Sequence, residues 1–260
     1  MITSTQNPLV KQIRKLHRSK ERREKQLFLL EGTHLIEEAC QVNYPLETIC
    51  CTPEWQEKHQ KLWEIASSRA QRSEIVANQV LEAIATTVNP DGIVATASRK
   101  ILTNTNQSFL QLGIALETIQ DPGNLGTIIR TATAAGVDRL YLSNNSVDID
   151  HPKVLRASAG ALFRLSITET ADLKAEIIRC KKQKIQVVAT LSQGEKNYWE
   201  LDFKSPTLIL LGNEGAGLSE DLINLADEKV KIPLKQGIES LNVAIAAAVI
   251  LYEAQRQQHH

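Results

Sequence analysis

The chain has 260 residues, 42% of them hydrophobic and 23% charged, with 30 Lys and Arg against 30 Asp and Glu. That length suits one large or two ordinary domains, and a net charge of zero excludes a globally basic nucleic-acid binder, so an RNA contact would need local charge. Cys40, Cys50, Cys51 and Cys180 form no C-x-x-C and no zinc spacing; they read as reduced, buried thiols of a cytosolic protein, no metal is expected, and the longest apolar run, 243–252, is too short for a bilayer, which needs about 20 residues.

Local charge appears at once. Within residues 7–25, Lys11, Arg14, Lys15, Arg18, Lys20, Arg22, Arg23 and Lys25 are opposed only by Glu21 and Glu24. Pro8 suits a helix start, and Leu9, Ile13 and Leu16 fall at helical spacing, leaving the basic residues on the outer faces. This is either a solvated surface helix or a phosphate-tracking patch. Strands and helices then alternate: strand 26–31, helix 33–42, strand 46–51, helix 53–67, strand 74–77, helix 78–85 and strand 92–97, an α/β/α domain. Trp55 and Trp63 read as core or interface residues rather than base-stacking platforms. The polar run 103–108, TNTNQS, is the best linker in the chain. The expected domains are 1–102 and 113–260, joined by 103–112.

The second domain opens with a short apolar run, 113–119, long enough for a buried strand. The run breaks at Gln120-Asp121-Pro122-Gly123-Asn124 and resumes as a helical pattern from Leu125, with Asn124 placed as N-cap and Gly136 as terminator. In an open α/β sheet such a loop lies at the carboxyl end of a strand, where ligands bind. It carries neither G-x-G-x-x-G nor a P-loop. Taken alone it is equally a plain turn before a helix with one solvated arginine, Arg130. Further on come strand 139–142, a polar loop 143–150, a short helix from Pro152, the small-residue segment Arg156-Ala-Ser158-Ala-Gly160, helix 172–182 and strand 185–189 with a loop through Thr190, Leu191 and Gly194. Strand 208–211 enters Gly212-Asn213-Glu214-Gly215-Ala-Gly217-Leu. Strand 228–233 enters Ile232-Pro-Leu234-Lys-Gln-Gly-Ile-Glu-Ser240-Leu241-Asn242-Val, which leads into a last helix, 242–257. The loops after Ala189, Leu211 and Pro233 would lie together if their strands are parallel neighbours.

These three junctions, in this order and spacing over 113–257, resemble the SpoU, or TrmH-like, branch of the SPOUT RNA methyltransferases. The matching elements are Asn124 with Arg130, the G-N-E-G-x-G-L loop, and I-P-x-x-x-G-x-x-S-L-N-V. Leu234 stands where the family often has Met. The resemblance implies an α/β catalytic domain, a parallel sheet with a deep trefoil knot, preceded by a smaller L30e-like substrate-binding domain. It implies S-adenosylmethionine as cofactor, held by Thr190, Leu191, Gly194, Leu211, Gly212, Asn213, Gly215, Gly217, Ile232, Leu234, Ser240, Leu241, Asn242 and Ala246. It implies transfer of a methyl group to a ribose 2′-hydroxyl of RNA, with ribosomal rather than transfer RNA the expected substrate.

Arg130, Asn124, Glu214, Ser240 and Asn242 are the catalytic candidates. The family treats the counterpart of Arg130 as catalytic, sometimes as a base; a guanidinium stays protonated up to about pH 12, so holding a phosphate beside the target ribose is easier to justify. Lys11, Arg14, Lys15, Arg18, Arg22 and Arg23, with Arg156 and Ser158, are the RNA-binding candidates. The apolar last helix needs two partners, and its alanines permit close packing. A homodimer through the last helix and the helix carrying Arg130 is expected. Two other readings stay open: an RNA-binding protein of this fold without catalysis, and a Rossmann-like nucleotide-dependent enzyme, against which the missing fingerprint argues.

Overall fold

Asn7 accepts a hydrogen bond from the Leu9 amide through its side chain, and Pro8 fills the first turn, so a helix starts there. In the computed structural model, which describes residues 1–99 and 110–258, this is α1 (Pro8–Lys15), followed by α2 (Ser19–Lys25). The expected linker at 103–108 lies outside the described residues, as do His259 and His260. The chain forms two units; one contains the residues up to 99 together with Ile149–Arg164, the other the rest.

The first unit is a four-stranded sheet of β1 (Leu27–Glu31), β2 (Leu46–Cys51), β3 (Ala70–Ile75) and β4 (Ile93–Ser98) in the order β1-β4-β2-β3. β4 runs antiparallel to both β1 and β2, and β2 is parallel to β3. Helices α3 (Thr33–Gln41), α4 (Pro53–Lys58), α5 (Gln60–Arg69) and α6 (Asn78–Ile84) connect them. Val10, Ile13 and Leu16 of the first helical stretch meet Val80, Leu81 and Ile84 of α6 in one core over Leu29, Cys50 and Val94. The basic stretch is therefore two helices, because the chain turns at Leu16–Arg18. The single helix expected over 53–67 is likewise broken, at His59. Trp55 is buried, and its Nε1 donates to Thr33 Oγ1 at 2.8 Å. All four cysteines are buried thiols; burial pushes Cys50 and Cys51 up to about 12, which keeps them protonated and unreactive.

The segment 149–164 carries α8 (Pro152–Ser158) and completes this unit. Asp150, 0% exposed, accepts from Arg22 Nε at 3.1 Å and from Arg99 Nε at 2.8 Å. Arg156 bonds Thr86 Oγ1 at 3.0 Å and lies 3.6 Å from Glu31. Arg164 pairs with Glu38. Each of these ties a residue of the 149–164 segment to one of the first 99 residues.

The second unit is a parallel sheet. Its strands are β5 (Leu112–Leu116), β6 (Arg139–Ser143), β7 (Ser166–Thr170), β8 (Gln186–Thr190), β9 (Lys196–Asn197), β10 (Thr207–Leu211) and β11 (Glu228–Lys231). Among the described residues the order is β7-β6-β5-β10-β8-β11-β9, with every pairing parallel. β5, β6 and β10 are buried along their whole length, as strands covered on both faces must be. Helices α9 (Leu173–Lys182) and α10 (Glu220–Ile223) bury Leu173, Ile177, Cys180 and Leu222 against Val187, Leu208 and Leu210. α7 (Pro122–Ala134) packs along α11 (Val243–Gln258). The short strands β7 and β9 escape a reading of the sequence: SITET alternates weakly, and a two-residue strand carries no pattern.

Candidate active site

Helix α7 begins three residues earlier than expected. Pro122 supplies its first turn and Asp121, not Asn124, caps it: Asp121 Oδ1 accepts from the Asn124 amide at 2.9 Å. Such a cap contributes about 1 kcal/mol. It also moves Asn124 from the cap into the first turn, with its side chain free to point elsewhere. That side chain donates from Nδ2 to Glu214 Oε1 at 3.1 Å and accepts at Oδ1 from Asn242 Nδ2 at 2.9 Å. Asn242 in turn caps α11, its Oδ1 accepting from the amides of Ala244 and Ile245 at 2.9 and 3.3 Å. Residues from the three sequence motifs thus meet in one hydrogen-bonded chain.

Glu214 is its anchor. Besides Asn124, it accepts from the Asp121 amide at 3.1 Å and the Gln120 amide at 3.2 Å. Burial pushes its carboxyl up, but the Asn124 side chain, its own backbone amide and the Asp121 and Gln120 amides together outweigh this and hold it below its usual value. The neighbouring Asn213 accepts at Oδ1 from the amides of Gly215 and Ala216, both at 2.9 Å, and its backbone exchanges two 3.0 Å bonds with Gly217. This tight turn has no room for side chains at Gly212, where a Cβ would sit 2.1 Å from the Gly217 carbonyl carbon.

Beside this network lies a cleft of about 660 Å³. The loop after β8 contributes Thr190 and Leu191. The loop after β10 contributes Leu211, Gly212, Asn213, Glu214, Gly215 and Gly217. The segment after β11 contributes Ile232, Leu234, Ser240, Leu241 and Asn242, and α11 adds Ala246. Asn124 closes one side. Ser192, Leu218, Glu220, Ile223, Glu239 and Val243, which sequence reasoning passes over, also line it; their positions flanking the motifs are the available signal. Thr190 Oγ1 is buried with no hydrogen-bond partner among the described residues.

Several candidates lie elsewhere. Gly194 does not line the cleft: a Cβ there would be 2.2 Å from the Val230 carbonyl carbon, so it serves a backbone crossing. Arg130 is exposed on α7, six residues and about 9 Å of helix beyond Asn124, does not line the cleft, and makes no hydrogen bond or ion pair to a described residue. Arg22 does not face solvent. At 1% exposure it is bound to Asp150 and to the Leu16 and His17 carbonyls, because α2 turns it into the core. Ser158 is also fully buried, its hydroxyl donating to the Leu155 carbonyl, and Arg156 is engaged by Glu31 and Thr86. Lys11, Arg14, Lys15 and Arg18 do come together, with His17 and Glu21, around a groove of about 450 Å³. Arg23 is exposed on α2 outside this groove.

A model of the SpoU rRNA Methylase family matches residues 111–252, and a model of an MRM3-like substrate binding domain matches residues 7–95. An uncharacterized tRNA/rRNA methyltransferase of Synechocystis is 45% identical over 99% of this chain and 94% of its own length. The 23S rRNA (guanosine(2553)-2′-O)-methyltransferase RlmP of Bacillus subtilis is 31% identical over 96% of this chain and 97% of its own. An AdoMet-bound rRNA methyltransferase from Sinorhizobium meliloti superposes with a TM-score of 0.85 at 32% identity, over 98% and 97% of the two chains.

Proposed function

The chain belongs to the SpoU rRNA methylase family and is an S-adenosylmethionine-dependent RNA 2′-O-methyltransferase; we propose that its substrate is ribosomal RNA, methylated in the cytoplasm by a homodimer. The observation that carries the reading is the convergence of Asn124, Glu214 and Asn242 at the mouth of one cleft.

The cleft suits S-adenosylmethionine. Leu191, Leu211, Leu218, Ile232 and Leu241 supply apolar walls for an adenine. The orphaned Thr190 hydroxyl is a polar group in want of a partner. The carboxylates of Glu220 and Glu239 suit a ligand that carries positive charge. When bound, the cofactor supplies an electrophilic sulfonium methyl group. The protein then has to hold the ribose oxygen in line with it and keep the neighbouring phosphate in place.

Glu214 is saturated by its donors and stays ionised, so it orients Asn124 rather than accepting the ribose proton. Its fixed acceptor pattern forces the Asn124 amide to present Oδ1 to Asn242. Arg130, exposed and unpaired among described residues, offers a forked donor set to the phosphate beside the target ribose. Ser240, exposed at the cleft, adds a hydroxyl. Lys11, Arg14, Lys15 and Arg18 track phosphates farther along the RNA. Ribosomal RNA is favoured by the RlmP relative, which matches nearly end to end.

The reading includes the trefoil knot. It is supported by the strand order β10-β8-β11 and by the contact of Gly194 with the backbone of β11, which brings the loop after β8 against the last strand. The dimer is supported by α11. With α7 already on one side, Ile245 and Tyr252 remain 52% and 49% exposed, on the stripe that also carries Val249, a face that a twofold copy would cover.

Ribose-methylation mapping across total RNA from cells with and without the protein tests the substrate. One missing 2′-O-methyl mark in ribosomal RNA is the expected result; a missing mark confined to transfer RNA would refute the assignment.

A further inference from the structure

Five non-glycine residues among those described adopt a left-handed backbone: Gln26, Asn43, Thr118, Ala159 and Lys184. Four of them follow the ends of α2, α3, α8 and α9, where this conformation is the common way to finish a helix. Thr118, with φ of 56°, does not. It lies between β5 and the Asp121 cap of α7, and it is β-branched, the side-chain type that tolerates this conformation least.

What holds it there is a set of bonds to two loops. Its amide donates to Ser143 Oγ at 2.8 Å, and its hydroxyl accepts from Asn145 Nδ2 at 2.8 Å. Its carbonyl accepts from Asn213 Nδ2, also at 2.8 Å. The next amide, of Ile119, donates to Ser146 Oγ at 3.0 Å. The reversal at Thr118 is what turns the following amides, of Gln120 and Asp121, toward the Glu214 carboxylate. Asn213, anchored by the Thr118 carbonyl, braces the amides of Gly215 and Ala216.

We propose that Thr118 is a positioning residue for methyl transfer. Its strained turn fixes the 213–217 loop and the acceptor pattern of Glu214, and through Glu214 the orientation of Asn124. Backbone strain concentrates where surrounding structure over-determines it and geometry matters to function. The inference rests on the Asn124–Glu214–Asn242 cluster being the catalytic centre.

Three variants of the full chain test it: Thr118→Gly, which adopts the turn without strain but loses the hydroxyl; Thr118→Val, which keeps the branching and loses the hydroxyl; and Thr118→Asn, which tolerates the turn and keeps a polar partner for Asn145. Amide exchange over 213–217 should quicken in the glycine and valine variants, and kcat for methyl transfer should fall about tenfold or more with KM for RNA unchanged, a displacement of about 1 Å being enough for that. The asparagine variant should restore both. Unaltered exchange in the glycine and valine variants would overturn the proposal whatever the activity, and so would quickened exchange with undiminished kcat. A wild-type protein that transfers no methyl group would instead overturn the catalytic reading, and the exchange measurement would still decide whether Thr118 holds the loop.

Discussion

Asn124 and Asn242 stand 118 positions apart in sequence, and their side chains are joined by a 2.9 Å hydrogen bond. The bond has a fixed direction. Glu214 takes the Asn124 amide nitrogen, so only the Asn124 oxygen is left for Asn242, and Asn242 must keep its own oxygen on the start of α11. One carboxylate therefore sets two amides and registers the last helix against the first helix of the unit.

Replacing Glu214 by Gln removes an acceptor and adds a donor facing the N–H groups of Gln120, Asp121, Asn124 and Asn213. Methyl transfer should fall about 100-fold, the loss a misplaced group causes. The effect on stability should depend on pH. The Glu214 carboxyl is held below its ordinary 4.5 in the folded state, so its stabilisation is present above 4.5 and is lost as pH falls through the lower folded value. The gap in melting temperature between wild type and Glu214→Gln should be open at neutral pH and should close in acid; a gap that widened in acid would contradict the assigned direction.

Asp150 compensates two arginines in a buried site. Asp150→Ala should cost about 3–5 kcal/mol of unfolding free energy, because it leaves buried positive charge behind. Arg22→Ala should likewise lower stability in denaturant titrations. A substitution at Arg22 that weakened RNA binding without altering stability would show that the residue faces the RNA after all.

The exposed cations should behave in the opposite way. Replacing Arg14, Lys15 or Arg18 by Ala should leave the melting temperature unchanged and weaken RNA binding. Each should lower the slope of log affinity against log salt by about 0.7–0.9 for every phosphate that is no longer neutralised. Equal slopes for wild type and a triple variant would remove the groove from the RNA interface.

The α11 stripe makes a separate prediction about assembly. Ile245 is exposed, so Ile245→Glu should leave the fold intact and convert a dimer to the mass of one chain in light scattering at micromolar concentration. A wild-type protein that is already monomeric there, with full activity, would refute the dimer.

The parallel sheet and the meeting of three loops are legible in apolar runs that end in glycine-rich turns, and the cleft is lined by the residues around those turns. Asp121 escapes notice as the cap because Asp-Pro and Asn are both good helix starts, and only the geometry of Pro122 at the first position decides between them. Arg22 looks like its neighbours because a charge gives no sign of its burial; its partner Asp150 lies far along the chain, where no local pattern announces it. Gly194 groups with the cleft in sequence because a glycine that meets a ligand and a glycine that meets another backbone look alike there. Thr118 carries no sequence signal at all, since a β-branched residue is the last expected in a left-handed turn.

In the proposed mechanism Arg130 serves the RNA and not the cofactor while the cleft delivers a methyl group to a ribose oxygen, and this division of labour is its centre. The most direct measurement uses labelled S-adenosylmethionine and ribosomal RNA with wild type and Arg130→Ala, followed by digestion to nucleosides and by calorimetric titration of the cofactor. The account predicts label in a 2′-O-methylnucleoside for wild type, none for the variant, and cofactor affinity within about threefold of wild type, less than about 1 kcal/mol. Label on a base, or cofactor binding lost together with activity in Arg130→Ala, would contradict it.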